Sequence, residues 1–264
     1  ISEMADFQKD ESPNKREQVI DRLLASQDHA EFFAGKWNTI LRNRRTGGAL
    51  RFANVAFHQW IQESITANKP YDQFVREIIA ASGSVASHPP VAWYQQVTDT
   101  NQRIEDAAQL FLGQRIQCAR CHHHPYEKWS QADYAQLSAF FTTVSKKNGR
   151  DPLEPAVFAK LGGSSAKHPK TGQALKPAGL DAEEAAIGTQ DDPRSHFADW
   201  MTNPENPFFA KALANRYWKH FMGRGLVEPE DDLRVTNPPS NPELLDGLAN
   251  AFVDSGYDLK SLIR

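Results

Sequence analysis

Residues 15–27, KREQVIDRLLASQ, place Val19, Ile20, Leu23 and Leu24 on one stripe of a 3.6-residue period, the signature of an amphipathic helix. Working outward, the pattern repeats. Phe32, Phe33, Trp37, Ile40 and Leu41 form a second stripe, followed by the basic Arg42, Arg44 and Arg45 and a stop at Gly47-Gly48. Phe52, Val55, Trp60, Ile61 and Ile65 predict a third helix. Phe74, Val75, Ile78 and Ile79 predict a fourth, ended by Gly83. Asp99 can cap a fifth through Ile104, Ala107, Ala108, Leu110 and Phe111, closed by Gly113. Ser130, with Asp133 three residues later, forms a capping-box-like pair for a sixth, whose apolar positions are Tyr134, Leu137, Phe140, Phe141 and Val144.

The character then changes. Residues 146–193 are rich in Gly, Pro, Lys and Ser and lack periodicity, which predicts a long surface excursion with room for a short hairpin. Helices resume at Asn206-Pro207, with Pro in the first turn and Gly223 as the stop. Ser240-Asn241-Pro242-Glu243 reads as a capping box leading Leu244, Leu245, Leu248, Ala251 and Phe252 to Gly256. The expected fold is mainly α, in two helical parts joined by an irregular connection: residues 1–145, 146–193 and 194–264. Residues 258–264 read as a helix cut short, so the second part is expected to continue beyond Arg264.

Composition narrows the classes. With 264 residues, 30 Lys+Arg, 33 Asp+Glu and a net charge of −3, nothing points to nucleic acid as partner. Mean hydropathy is −0.60, and no apolar run approaches the roughly 18 residues of a membrane helix. Ile1 opens the chain with neither Met nor signal peptide, as in a mature or trimmed product. Six Trp are heavy for this length, and most are expected in the core.

The two cysteines read Cys118-Ala119-Arg120-Cys121-His122, the attachment sequence of c-type haem. Two thiols one helical turn apart can reach the two vinyl groups of one porphyrin edge, and the next residue, His122, can then offer its imidazole to the iron. One covalent haem c is the expected cofactor. A redox disulfide would suit a βαβ setting, which is absent. A zinc site completed by His124 or a distant His is the other alternative, but four ligands within seven residues strain a tetrahedron. On a helix, His124 would lie roughly 200° from His122 and point elsewhere, toward a haem edge or into packing.

A distal iron ligand must come from far along the chain. His220 shares an apolar stripe with Phe209, Leu213 and Tyr217, and Met222 would give His/Met ligation; Met201 and His58 are weaker candidates. An open sixth position is equally consistent with the sequence. Glu228, Glu230, Asp231 and Asp232 form an acidic run that reads as a solvated face. Arginines 42, 44, 45 and 51 could pair haem propionates, with ordinary surface pairing as the default. No G-x-G-x-x-G, P-loop, H-E-x-x-H or G-x-S-x-G is present.

The stretch Phe111–Pro125, with Trp129, Asp133-Tyr134 and Ala139-Phe140-Phe141, resembles the planctomycete-type cytochrome c-associated domain, a family of uncharacterised secreted bacterial proteins. Leu23-Leu24-Ala25-Ser26 with Trp37, and Tyr71-Asp72 through Ser82-Gly83, look like its earlier signatures. Asn206-Pro207-Phe208-Phe209-Ala210, Asn215-Arg216-Tyr217-Trp218, Gly223-Arg224-Gly225-Leu226-Val227 and Asn237-Pro238-Pro239-Ser240 resemble the partner domain that usually follows. The resemblance implies a haem c site at Cys118, Cys121 and His122. It matches His124 to a C-x-x-C-H-x-H pattern, finds His often at the position of His220, and makes Met222 a departure from an aromatic residue.

The expectation is a periplasmic or cell-surface monohaem c-type cytochrome, transferring one electron to a redox partner protein or serving as the haem subunit of a larger assembly. The alternatives are a haem enzyme or gas sensor with an open distal site, and a structural module with a Cys/His zinc site.

Overall fold

The structure is a computed structural model, and it describes residues 2–44, 50–147 and 155–264. Its helices are α1 (Ser2–Lys9), α2 (Lys15–Leu24), α3 (Gln27–Ile40), α4 (Leu50–Thr66), α5 (Tyr71–Ile79), α6 (Val91–Gln96), α7 (Thr100–Leu112), α8 (Gln131–Ala139), α9 (Pro193–Met201), α10 (Phe209–Met222), α11 (Pro242–Asp254) and α12 (Leu259–Ile263). The fold is mainly α. Among the described residues the strands make only two small antiparallel pairs, β1 (Val144–Lys147) with β2 (Ala156–Ala159), and β3 (Ala166–Lys167) with β4 (Ala174–Leu175).

Local chemistry explains most helix ends. The Asp99 carboxylate accepts from the N–H groups of Asn101 and Gln102, and Gly113 closes α7 in the left-handed region at φ 64°. Ser130 and Asp133 form the full reciprocal capping box of α8. Three boundaries differ from expectation. α8 stops at Ala139, and Val144 enters β1 opposite Ala159: backbone pairing with the β2 segment, begun where Lys160 N–H donates to Thr143 C=O, takes the place of a further helical turn. α10 begins at Phe209: the Asn206 side chain accepts from the N–H groups of Phe208 and Phe209, so Pro207 lies in the preceding turn. At α11 the cap is Asn241, which accepts from Leu244 N–H, with Pro242 in the first turn.

The helices α1, α6 and α9 lie outside the stripes read from the sequence, although α9 carries a local signal in its Asp192 cap and Pro193 start. Several expected core positions are exposed, among them Leu23, Phe32, Phe52 and Val55. Arg45 and the Gly47-Gly48 stop lie outside the described residues.

One apolar core runs through N-terminal and C-terminal helices alike. The buried Tyr71 stacks on Phe209 at 5.0 Å, and its backbone N–H donates to Tyr257 C=O. Trp37 Nε1 donates to the Tyr217 hydroxyl across 3.3 Å. Trp37, Trp93 and Trp129 are buried, while Trp60, Trp200 and Trp218 are half-buried against the apolar clusters, so three of the six tryptophans, rather than most, are fully enclosed. A buried Arg194 ties α9 to the end of α5, pairing with Asp192 and donating to Ala81 C=O and Ser82 Oγ. Among the described residues no helix is long and apolar enough to cross a membrane.

Candidate functional site

The Cys-x-x-Cys-His segment follows α7, whose inner face buries Ile104, Ala107, Ala108, Phe111 and Leu112. After Gly113 the chain makes one turn of 3-10 helix, Gln117–Arg120. Ile116 and Ala119 are buried and anchor this turn, so Cys118, Arg120 and Cys121 point outward and are exposed. The N–H groups of Cys121 and His122 both donate to Cys118 C=O at 3.3 Å, which fixes the two cysteines one turn apart. Gln131, at the start of α8, donates from Nε2 to Cys121 C=O at 2.8 Å and holds the far end.

His122 is exposed, and its Nδ1 lies 2.7 Å from His123 C=O. A carbonyl oxygen only accepts, so Nδ1 is the donor in that bond and Nε2 is the ring nitrogen turned away from it. His124 behaves differently. Its ring is buried, its N–H donates to Trp129 C=O at 2.9 Å, and its Nδ1 accepts from Tyr126 N–H. It therefore closes the 124–129 loop from inside, while its two neighbours face out.

A second layer comes from the loop after α10. Leu233 N–H donates to Gly113 C=O at 2.8 Å, and Gln114 Nε2 donates back to Leu233 C=O at 2.6 Å. Asp231 accepts from Arg115 at 2.5 Å and from Gln109 at 2.6 Å. Thr236 Oγ1 donates to Tyr126 C=O, and the Arg234 guanidinium lies over the Tyr126 ring at 5.7 Å. Residues 231–236 are thus strapped along residues 109–126. Burial pushes the Asp231 carboxyl up, but the bonds from Gln109 and Arg115 and the arginine charge outweigh it and hold it below the ordinary carboxylate range.

This corrects the expectation of a solvated acidic run. Glu228 accepts from Gly225 N–H and Lys219, Glu230 pairs with Lys219, and Asp232 is buried beside Arg234. Sequence reasoning missed the strap because its partners lie more than 100 residues apart, and nothing local marks Asp231 or Leu233 as paired.

The distal candidates stand elsewhere. The His220 ring contacts Phe32, Phe33 and Phe221, with centroids 5.6, 5.5 and 4.8 Å away, and none of these belongs to residues 113–131. Burial and the Lys36 charge hold its pKa below the usual histidine value. Met222 ends α10 and is 61% exposed; Met201 is in the core; His58 bonds the Asn38 side chain. Arg42 pairs with the buried Asp106 of α7 at 2.6 Å.

The donor set fits covalent haem attachment. It has two free, exposed thiols at one-turn spacing and an adjacent imidazole whose Nε2 is unengaged. A zinc tetrahedron would need three or four donors converging on one point. Among the described residues no three His, Cys, Asp or Glu side chains do so.

Residues 1–146 match the family model described as PSCyt2, a protein of unknown function (DUF1549), and residues 193–264 match PSD1, a protein of unknown function (DUF1553). No curated protein and no solved structure matches the chain.

Proposed function

Because the chain belongs to the PSCyt2 family, one of the planctomycete cytochrome c-associated domain families, we propose that it is a monohaem c-type protein of the periplasm or cell surface that passes single electrons to a partner protein. The observation that carries this reading is the outward-facing Cys118–Cys121–His122 turn, braced from beneath by Ile116 and Ala119. Haem c, when bound, supplies a one-electron iron couple. Cys118 and Cys121 would hold it through thioethers, and His122 would offer Nε2 to the iron.

The remaining residues prepare that arrangement. His123 C=O accepts from His122 Nδ1, which orients the ring with Nε2 outward. Gln131 fixes the Cys121 carbonyl, and the strap through Asp231, Leu233 and Thr236 fixes the segments on either side. Location outside the cytoplasm follows from the proposal, since haem is attached covalently on the outer side of the cytoplasmic membrane.

The test is an absorption spectrum, oxidised and dithionite-reduced, on protein made with active haem-attachment machinery, with intact mass on the same sample. A sharp reduced α-band and a mass gain of one haem are expected. An apo mass without a Soret band would overturn the reading. A variant of the proposal, an open sixth position suited to a small gas or to haem enzymology, draws on the absence of any His220 ring contact with residues 113–131. Carbon monoxide added to the reduced protein would shift the Soret band at once in that case, and would leave a six-coordinate site unchanged.

A further inference from the structure

Between α3 and α10 lies a cleft of about 550 Å³, within the size range of small-molecule sites. Its floor is aromatic: Phe33 and Tyr217 stack at 5.4 Å with their planes 9° apart, and Trp37 is bonded to the Tyr217 hydroxyl. Its rim is cationic. Lys36, Arg216 and Lys219 line it against a single carboxylate, Glu230.

The pairing of these charges is uneven. Glu230 is already taken by Lys219 at 2.6 Å, and Lys219 also holds Glu228 at 2.8 Å. Lys36 makes no ion pair among the described residues; its ammonium rests 5.1 Å from the Phe32 ring centroid. Arg216 likewise makes no ion pair among the described residues, and its Nη2 donates only to Leu110 C=O at 3.2 Å. The nearby Asp231 carboxylate is engaged by Gln109 and Arg115 instead. A chain of net charge −3 therefore keeps two half-buried cations out of direct ion pairs on the edge of an aromatic cleft: Lys36 has no carboxylate partner among the described residues, and Arg216 feels only the charge of Asp231, whose oxygens are already bonded by Gln109 and Arg115.

We propose that this cleft binds a small organic anion, an aromatic or other flat apolar body bearing a carboxylate, with the body on Phe33 and Tyr217 and the charge met by Lys36 and Arg216. A carboxylate offers the acceptor oxygens that guanidinium and ammonium groups lack here, and a flat apolar body matches the stacked floor. A phosphate alone would leave the aromatic surface unused, and a neutral apolar ligand would leave both cations unpaired. The site needs no haem, so it stands apart from the electron-transfer reading.

Isothermal titration of the whole protein with naphthoate, against its neutral amide, tests this. Calorimetry reads binding whether or not a chromophore is present. One-to-one binding of naphthoate at least tenfold tighter than the amide is expected. Lys36→Glu should weaken naphthoate about tenfold and leave the amide unchanged, and Arg216→Gln should act in the same direction. Lys36→Ala, which keeps the Phe32 side chain free of a new charge, should give a smaller loss of the same kind. Equal binding of acid and amide, or naphthoate binding indifferent to Lys36 in variants whose thermal unfolding is unchanged, would overturn the proposal.

Discussion

Gly113→Ala is the most informative single perturbation of the strap. Gly113 closes α7 at φ 64°, where a side chain costs about 1 kcal/mol. A Cβ there would also lie 2.8 Å from Leu233 Cδ1 and 2.9 Å from Cγ, closer than real contacts allow. Leu233 cannot simply withdraw, because its N–H is bonded to Gly113 C=O and its C=O to Gln114. Overpacking of this kind adds about 1–3 kcal/mol, for a total of about 2–4 kcal/mol. Gly223 supplies the control. It closes α10 at φ 78° with nothing within 4 Å of its would-be Cβ, so Gly223→Ala should cost only the backbone penalty of about 1 kcal/mol. Urea unfolding followed by circular dichroism measures both. In a Leu233→Ala background, Gly113→Ala should fall back toward the Gly223 value, since only Leu233 Cβ, at 3.4 Å, remains. Equal losses for the two glycines in the parent background would refute the seating of Leu233 against Gly113. They would remove the structural reason for linking residues 231–236 to the cysteine turn.

Four further outcomes follow from the same geometry. Replacing either Cys118 or Cys121 by Ser should leave at most one thioether and sharply lower covalently retained haem after acid–acetone extraction, and the double variant should retain none. Arg194→Leu, which strands Asp192 and the Ala81 carbonyl, should cost about 3–5 kcal/mol in chemical denaturation, because a fully buried cation is removed from its partners. Asn215→Ala should cost about 2–4 kcal/mol, since the buried Asn215 amide both donates to Val227 C=O and accepts from Val227 N–H, each at 2.9 Å. His29 is held below the ordinary value of 6.5 by burial first and by Lys260 second, and His220 by burial and Lys36. Above pH 6.5 both states are neutral and stability is flat; below it the unfolded chain takes the protons first, so stability falls with acidification. Thermal unfolding between pH 7.5 and 5 should show this slope (on the order of two histidines), and His29→Gln should flatten it. A flat profile in the parent protein would contradict the burial of both rings.

How much was legible depended on the reach of each interaction. The caps at Asp99 and Ser130 and the stop at Gly113 were readable because each is decided within three or four residues. The short helices α6 and α9 carry too little local signal to be read. Helices of six and nine residues are marginal on propensity alone, and what holds them is burial of Trp93, Tyr94, Phe197 and Met201 in a core assembled from elsewhere. Val144 continued the apolar period of α8, but the backbone pairing with Ala159 prevailed. Leu23 and Phe32 satisfied the helical stripe and still face solvent, since a stripe names a helix face without naming what covers it.

The site divides in the same way. The sequence alone determined the spacing of Cys118, Cys121 and His122, because two thiols and an imidazole at fixed separations constitute a chemical signal before any folding occurs. It also determined the helical class and the family. Only the tertiary structure decided that the turn is 3-10, braced by Ile116 and Ala119, and that His124 turns inward while His122 turns out. It alone placed His220 against Phe32 and Phe33 and drew Asp231 and Leu233 onto a segment more than 100 residues earlier. Those arrangements are settled by which buried surfaces meet and which backbone groups are left needing partners, and neither quantity exists until distant parts of the chain have come together.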